Sequence, residues 1–406
     1  MKTLSVLSVL LLVLRTSARH PQVRRHGWMS PTEESSEGSS SSLQSSSRSF
    51  TTLTQAYPYY HSSKELLEEA RQLVSSCKSA SLRTIQEGDV SMDVVQVNST
   101  GSAQGARNKV FILFGEHSRE LISPETGLAL LRELCGGSSE LSTEVRQDSE
   151  FLLVLNGNPR SRPEVEGGNY CLRTNPKGVD LNRNWDEEWQ QDSVAHGKDT
   201  NPGPAPFREP ETRLLRSLVS EYKPTTYLCV HSGTLGLYMP WAFDRVHAAD
   251  RNQKAMMSVL EELDRSHCQC PYGAAGKEVG YSCPGTSLDW IYDKLQTPFA
   301  FAFEIYVGNG LMPALKERWH QKADASSALQ IDHLANARPD FFKAHPSDFI
   351  QLSHEEVAES NNSRDCFELY NPSSEDVFHA TVDNWVTVYL EMAQKVSKHL
   401  QDGKGA

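Results

Sequence analysis

His117 and Glu120 stand three residues apart in Gly115-Glu116-His117-Ser118-Arg119-Glu120, directly after the apolar run Lys109 to Phe114. In a turn or a first helical turn, that spacing puts an imidazole and a carboxylate on one side. A single HxxE is common, and a surface histidine beside an ion pair is its ordinary meaning. His231 raises the value of the pair, because it too follows a short apolar run, Thr225 to Val230. Ligands of open α/β sheets collect at the carboxyl ends of strands. Two histidines and a glutamate are the three protein ligands of a catalytic zinc, with the fourth position left to water. Glu304 lies in Phe299-Ala300-Phe301-Ala302-Phe303-Glu304, on the face that carries the small residues. A carboxylate in such a strand is costly unless it is paired or faces a cleft. It is either half of a structural ion pair or a general base beside a metal-bound water.

The segment Gly178 to Trp185 reads GVDLNRNW. Arg183 beside Asn182 offers a planar fork and an amide, suited to holding a carboxylate. Upstream, Arg173 is placed to meet a developing oxyanion. Each arginine alone would pass for a solvated loop residue. Taken together, the residue types describe zinc-assisted hydrolysis next to a carboxylate.

This set resembles the zinc metallocarboxypeptidase family, the carboxypeptidase A-like exopeptidases. The resemblance runs from about Tyr57 to about Leu400. It rests on GEHSRE (115–120), NPRSR (158–162), GVDLNRNW (178–185), VHSG (230–233), Tyr281 with Leu288-Asp289-Trp290, and FAFEIY (301–306). The run SRDCFELYNP (363–372) most resembles the plant-type branch. The resemblance implies one zinc ion on His117, Glu120 and His231, with Glu304 as general base and Arg173 polarising the scissile carbonyl. It implies Asn182, Arg183 and Tyr281 as a clamp on the terminal carboxylate, Arg119 as a more distant subsite and Leu288 as the floor of the specificity pocket. Asp180 would stand behind His117 and fix its tautomer. An apolar floor implies preference for an apolar C-terminal residue, and Asp289 is not the position that confers basic specificity. The substrate would be a peptide or protein with a free C-terminus. The chain departs from the family pattern in three places. A Ser-rich leader stands where digestive members carry a folded propeptide, residues 311–362 form an insertion, and Ser118 replaces the usual alanine. Two other readings fit part of the set: an N-acyl amino-acid hydrolase of the aspartoacylase type, and a non-catalytic zinc-binding homologue.

The elements that must position these residues alternate along the chain. Ser62 and Glu65 form a capping box ahead of Leu66, Leu67, Ala70 and Leu73, which predicts a helix. Met92 to Val97, Lys109 to Phe114, Phe151 to Leu155, Thr225 to Val230 and Phe299 to Tyr306 read as strands. Ser123-Pro124 reads as a helix start, with the serine as cap, and Gly136-Gly137 as its stop. Pro210 to Tyr222, Asp250 to Ser266 and Glu375 to Leu400 read as helices. The long polar loop from Asn156 to Phe207 reads as functional. The pattern predicts an α/β fold with a mostly parallel or mixed sheet covered on both faces. The family resemblance makes that a central mixed eight-stranded sheet flanked by helices.

The chain has 406 residues, 38% hydrophobic, with 40 Lys and Arg against 52 Asp and Glu. Its net charge of −12 disfavours a nucleic-acid partner. Lys2, the apolar run Leu4 to Leu14 and Thr16-Ser17-Ala18 read as a signal peptide, residues 1–18, too short to span a bilayer. Residues 19–50 read as a flexible Ser-rich leader. A catalytic domain is expected over 51–400, in a monomer without a membrane span. Its destination is the secretory-pathway lumen, either extracellular or vacuolar. Eight cysteines suit that compartment, and their pairing is not readable. His267-Cys268-Gln269-Cys270 fits disulfides or buried thiols better than a metal site. Asn98-Ser99-Thr100 and Asn361-Asn362-Ser363 are glycosylation sequons.

Overall fold

The computed structural model describes residues 52–101, 106–191, 198–308 and 363–403. The expected signal peptide, leader, insertion 311–362 and the Asn361 sequon lie outside these or reach beyond them. Eight strands form one sheet: β1 (Ala80–Glu87), β2 (Val90–Val97), β3 (Asn108–Phe114), β4 (Ser149–Val154), β5 (Thr226–His231), β6 (Thr234–Met239), β7 (Tyr272–Ala274) and β8 (Phe299–Tyr306). Their order across the sheet is β1-β2-β4-β3-β5-β8-β6-β7. The inner block β4-β3-β5-β8 is parallel, while β2 and β6 join its two sides antiparallel. Parallel strands must be buried on both faces, and the unbroken apolar runs of β3, β4 and β5 meet that demand.

The main helices are α1 (Ser63–Ser76), α2 (Ile122–Gly136), α3 (Glu140–Asp148), α4 (Pro210–Tyr222), α5 (Gln253–Leu263), α6 (Ser287–Lys294), α7 (Ser363–Tyr370) and α8 (Glu375–Gln401). α8 buries Phe378, Val382, Trp385, Tyr389, Met392 and Val396, a stripe at helical spacing. Tyr389 meets Phe114 of β3, and Trp385 meets Phe303 of β8. On the opposite face of β3, Phe111 packs on Tyr222 of α4 and Tyr227 of β5. The sheet therefore carries helices on both faces, as the sequence pattern requires.

One expected helix start holds for the expected reason, and two others shift. Ser62 caps α1, with Glu65 N donating to its hydroxyl and its own amide donating to Glu65 Oε2 at 2.9 Å. Ser123 is not the cap of α2, which begins at Ile122. Its hydroxyl instead donates to Val230 O at 2.8 Å and accepts from Gly115 N at 3.2 Å, tying the helix start to the ends of β5 and β3. α5 starts at Gln253 rather than Asp250, because Asn252 takes a left-handed φ of 54°.

Three disulfides link Cys77 to Cys135, Cys171 to Cys366 and Cys268 to Cys270. Cys229 and Cys283 remain as buried thiols. Among the described residues, no helix is long and apolar enough to cross a membrane.

Candidate metallohydrolase site

The site is built where β3, β5 and β8, adjacent in the sheet, end on the same side. Gly115, at a φ of +66°, turns the chain out of β3 in a conformation that side chains disfavour. Glu120 N then donates to His117 O, which folds the HxxE segment into a turn ahead of α2. His231 is the last residue of β5 and pairs across the ladder with Glu304 of β8. A single sheet register thus sets the second histidine beside the candidate base.

His117 Nδ1 lies 2.7 Å from Glu120 Oε1, and His231 Nδ1 lies 3.1 Å from Glu120 Oε2. The two Nδ1 atoms are 3.2 Å apart. All three side chains are buried. Two neutral imidazoles cannot both present lone pairs at that distance without repulsion, whereas a shared cation satisfies both. Donors about 2.0–2.1 Å from a tetrahedral zinc stand roughly 3.4 Å apart, close to these separations, and the His₂Glu set matches zinc's preferred ligands. Burial alone would raise the Glu120 carboxyl, but the His117 and His231 rings beside it hold it well below the usual carboxylate range. Behind the cluster, Asp180 Oδ1 is 3.2 Å from His117 Nε2. Burial opposes the Asp180 charge, and Arg173 and His117 more than reverse that.

These three side chains open on a cavity of about 120 Å³, also lined by Arg173, Asn182, Arg183, Tyr281, Leu288 and Glu304. Glu304 is half-buried, and its Oε2 has no hydrogen-bond partner. Burial pushes its carboxyl up to about 8; His231 pulls against that, and Glu120 adds to it. Arg173 donates from Nε to Asp180 Oδ2 at 3.0 Å, with Nη1 3.5 Å from Glu120 Oε1. Arg183 is buried; its Nη1 donates to Asn182 O at 2.7 Å, and its Nε has no partner. Among the described residues, no carboxylate lies within ion-pair distance of Arg183. A buried guanidinium left in that state asks for an anionic ligand.

Two sequence-singled residues sit elsewhere. Arg119 does not line the cavity: its Nη1 donates to Asp199 Oδ2 at 2.7 Å, and its guanidinium lies 4.1 Å from the ring centre of Tyr370, which does line it. Asp289 turns away from the cavity and accepts the backbone amides of Ala242 and Phe243. Other lining residues escaped the sequence reading, among them Cys229, Tyr238, Cys283 and Tyr370. Tyr238 comes from β6, a strand whose own signal is weak. Its ring lies along the strand over Gly236, occupying the space a side chain there would need.

A profile described as "Zinc carboxypeptidase" matches residues 83–321, more than half of the chain. Zinc carboxypeptidase A 1 of Anopheles gambiae is 28% identical over 213 residues, covering 49% of each chain. Carboxypeptidase A2 of Mus musculus is 24% identical over 247 residues, covering 54% of this chain and 58% of the mouse protein. The chain thus spans about half the length of the curated relatives it matches. The crystal structure of thrombin activatable fibrinolysis inhibitor superposes with a TM-score of 0.60 at 18% identity, covering 84% of this chain and 75% of that one. Carboxypeptidase A from Helicoverpa armigera gives 0.51 at 19% identity, covering 66% and 74%. These two likenesses concern the fold. With the profile match spanning every residue from His117 to Glu304, the chain belongs to the zinc carboxypeptidase family.

Proposed function

We propose that this chain is a zinc-dependent metallocarboxypeptidase that removes one residue from the C-terminus of a peptide or protein. The observation that carries the proposal is the meeting, around one cavity, of the His117–Glu120–His231 cluster, Glu304 and the buried, carboxylate-free guanidinium of Arg183.

His117, Glu120 and His231 would hold the zinc, which when bound supplies a Lewis acid for the carbonyl and acidifies a water. Glu304 takes the proton of the attacking water and returns it to the departing amine. Its unpartnered Oε2 is the atom available for both transfers. Arg173, anchored on Asp180, meets negative charge as it develops on the carbonyl oxygen. Arg183, Asn182 and Tyr281 bind the terminal carboxylate, and the distance from that clamp to the base sets which bond breaks. Leu288, with Ala242, Ala302 and Val279, gives the adjoining wall an apolar lining, which favours an apolar terminal side chain over Lys or Arg. Arg119 acts from farther off, through the Tyr370 ring. Three disulfides and the N-terminal apolar run support an oxidising secretory compartment as the place of action.

The test is a pair of peptides that differ only at the C-terminus, one free and one amidated. The zinc-loaded protein releases the last residue from the free acid, and the amide is cut roughly 10⁴-fold more slowly because Arg183 is left without its anion. Equal cleavage of the two would remove the carboxylate clamp and, with it, exopeptidase action.

A further inference from the structure

Every imidazole that gives one nitrogen to a metal keeps a proton on the other, and that proton needs an acceptor. For His117 the acceptor is Asp180, 3.2 Å from Nε2. For His231 the amide that meets Nε2 is the wrong kind of partner. Asn182 Nδ2 lies 3.3 Å away. The orientation of that amide is fixed, because its Oδ1 accepts from Ser287 N at 2.9 Å and from the Ser287 hydroxyl at 3.2 Å. The NH₂ group therefore faces the ring. With Nδ1 turned toward Glu120 and His117, the Nε2 proton and this NH₂ are two donors facing each other.

Glu116 resolves the conflict. It is 1% exposed, and its Oε1 accepts from Trp185 Nε1 at 3.3 Å. Its Oε2 is buried without any hydrogen-bond partner and lies 3.8 Å from His231 Nε2. The Cys229 thiol also lies beside the His231 ring, but it donates to Phe301 O at 3.7 Å and its sulfur is only a weak acceptor. The orphaned carboxylate oxygen of Glu116 is the stronger acceptor for this nitrogen, and a small shift of either group joins them. We propose that Glu116 is a positioning residue for His231: its Oε2 accepts the Nε2 proton, holds the ring with Nδ1 toward the metal, and makes the ring a stronger donor. Each histidine of the cluster then has its own carboxylate, Asp180 behind His117 and Glu116 behind His231. The inference rests on the metal reading of His117, Glu120 and His231. It adds a residue that lies inside the GEHSRE segment yet touches neither substrate nor metal.

Glu116→Gln tests it. Glutamine keeps the shape but has one acceptor, so it serves Trp185 or His231 and not both. Zinc affinity, measured by competition with a chelator, is expected to fall about 10- to 100-fold, the usual cost of losing such a partner. The melting temperature of the metal-free protein is expected to stay level or rise, because a buried unpaired carboxylate has been removed. The visible absorption of the cobalt-substituted protein is expected to shift as the ring's donor strength changes. Glu116→Asp keeps the charge on a shorter arm and should bind zinc with an affinity between those of the parent and the glutamine variant. That variant also carries the test if Glu116→Gln does not fold. Unchanged zinc affinity in Glu116→Gln, or parental affinity in Glu116→Asp where only that variant folds, would overturn the assignment. Failure of the parent chain itself to bind zinc would instead overturn the metal reading beneath it.

Discussion

Glu304 sits opposite His231 on the strand ladder, half-buried, with one carboxylate oxygen bonded to nothing. A group with only a structural duty would have found a partner there, since Arg173 is close enough to act on it electrostatically yet spends its hydrogen bonds on Asp180. Burial lifts the carboxyl to about 8, so its ionised form is a stronger base than an ordinary exposed carboxylate. Replacing Glu304 by glutamine preserves size and polarity and removes that capacity. Turnover is expected to drop by about 10²–10⁴-fold or more, with zinc content unchanged by metal analysis. Normal turnover in Glu304→Gln would end its role as the base. The sequence placed Glu304 on the small-residue face of its strand, and the structure shows Ala302 and Glu304 together on the cavity wall. Glu116 was in plain view in the same motif as His117, but its value depends on Trp185, Asn182 and Ser287, which the chain brings in from distant positions. No spacing rule encodes that.

Elements were legible in proportion to their burial. The runs of β3, β4, β5 and β8 carry a nearly continuous apolar signal, and α4 was read to the residue because Pro210 opens it. β1 was missed because none of its residues is fully buried and the alternation begun by Ala80 and Leu82 breaks at Thr84-Ile85. β6 was missed because a six-residue strand with Gly236 at its centre has little β propensity. Yet that glycine shapes the cavity: it pairs with Glu304 across the ladder and gives Tyr238 room to lie flat. Gly236→Ala would place a methyl inside the Tyr238 ring position and force the phenol into the cavity. The expected result is a loss of roughly tenfold or more in kcat/KM, about 1.4 kcal/mol, with the melting temperature changed by only a few degrees. Full activity would show that Tyr238 can move without consequence. At the start of α1, His61 Nδ1 donates to Glu125 Oε2 at 2.7 Å, and its Nε2 lies 3.2 Å from Glu69 Oε2. The Glu125 hydrogen bond raises the His61 pKa above its ordinary 6.5, against the opposing effect of burial. A histidine whose folded pKa is raised stabilises the fold fully below its unfolded value, and that stability is lost as pH climbs through the folded value. His61→Gln should therefore lower the melting temperature most below pH ~6 and least at pH ~9. A pH-independent difference would show that the contact acts through packing alone.

At the scale of the molecule, the sheet acts as a ruler. Three neighbouring strands end together, and the long loop before Phe207 folds back so that Asn182 and Arg183 reach the same cavity through a short helical turn at Leu181–Arg183. The convergence was legible as a set of residue types, but its geometry was not: 114 positions separate His117 from His231, the β3–β5 pairing closes that distance, and the β5–β8 pairing brings in Glu304. The pairing of cysteines was likewise beyond the sequence, because Cys171 and Cys366 meet only once the loop and α7 have docked, 195 positions apart. The central claim, that one metal ion sits among His117, Glu120 and His231, is tested most directly by anomalous diffraction at the zinc edge on crystals of the zinc-loaded protein. A single strong peak bounded by the two Nδ1 atoms and the Glu120 carboxylate is the predicted result. An absent peak there, or a zinc bound only at other side chains, would contradict it.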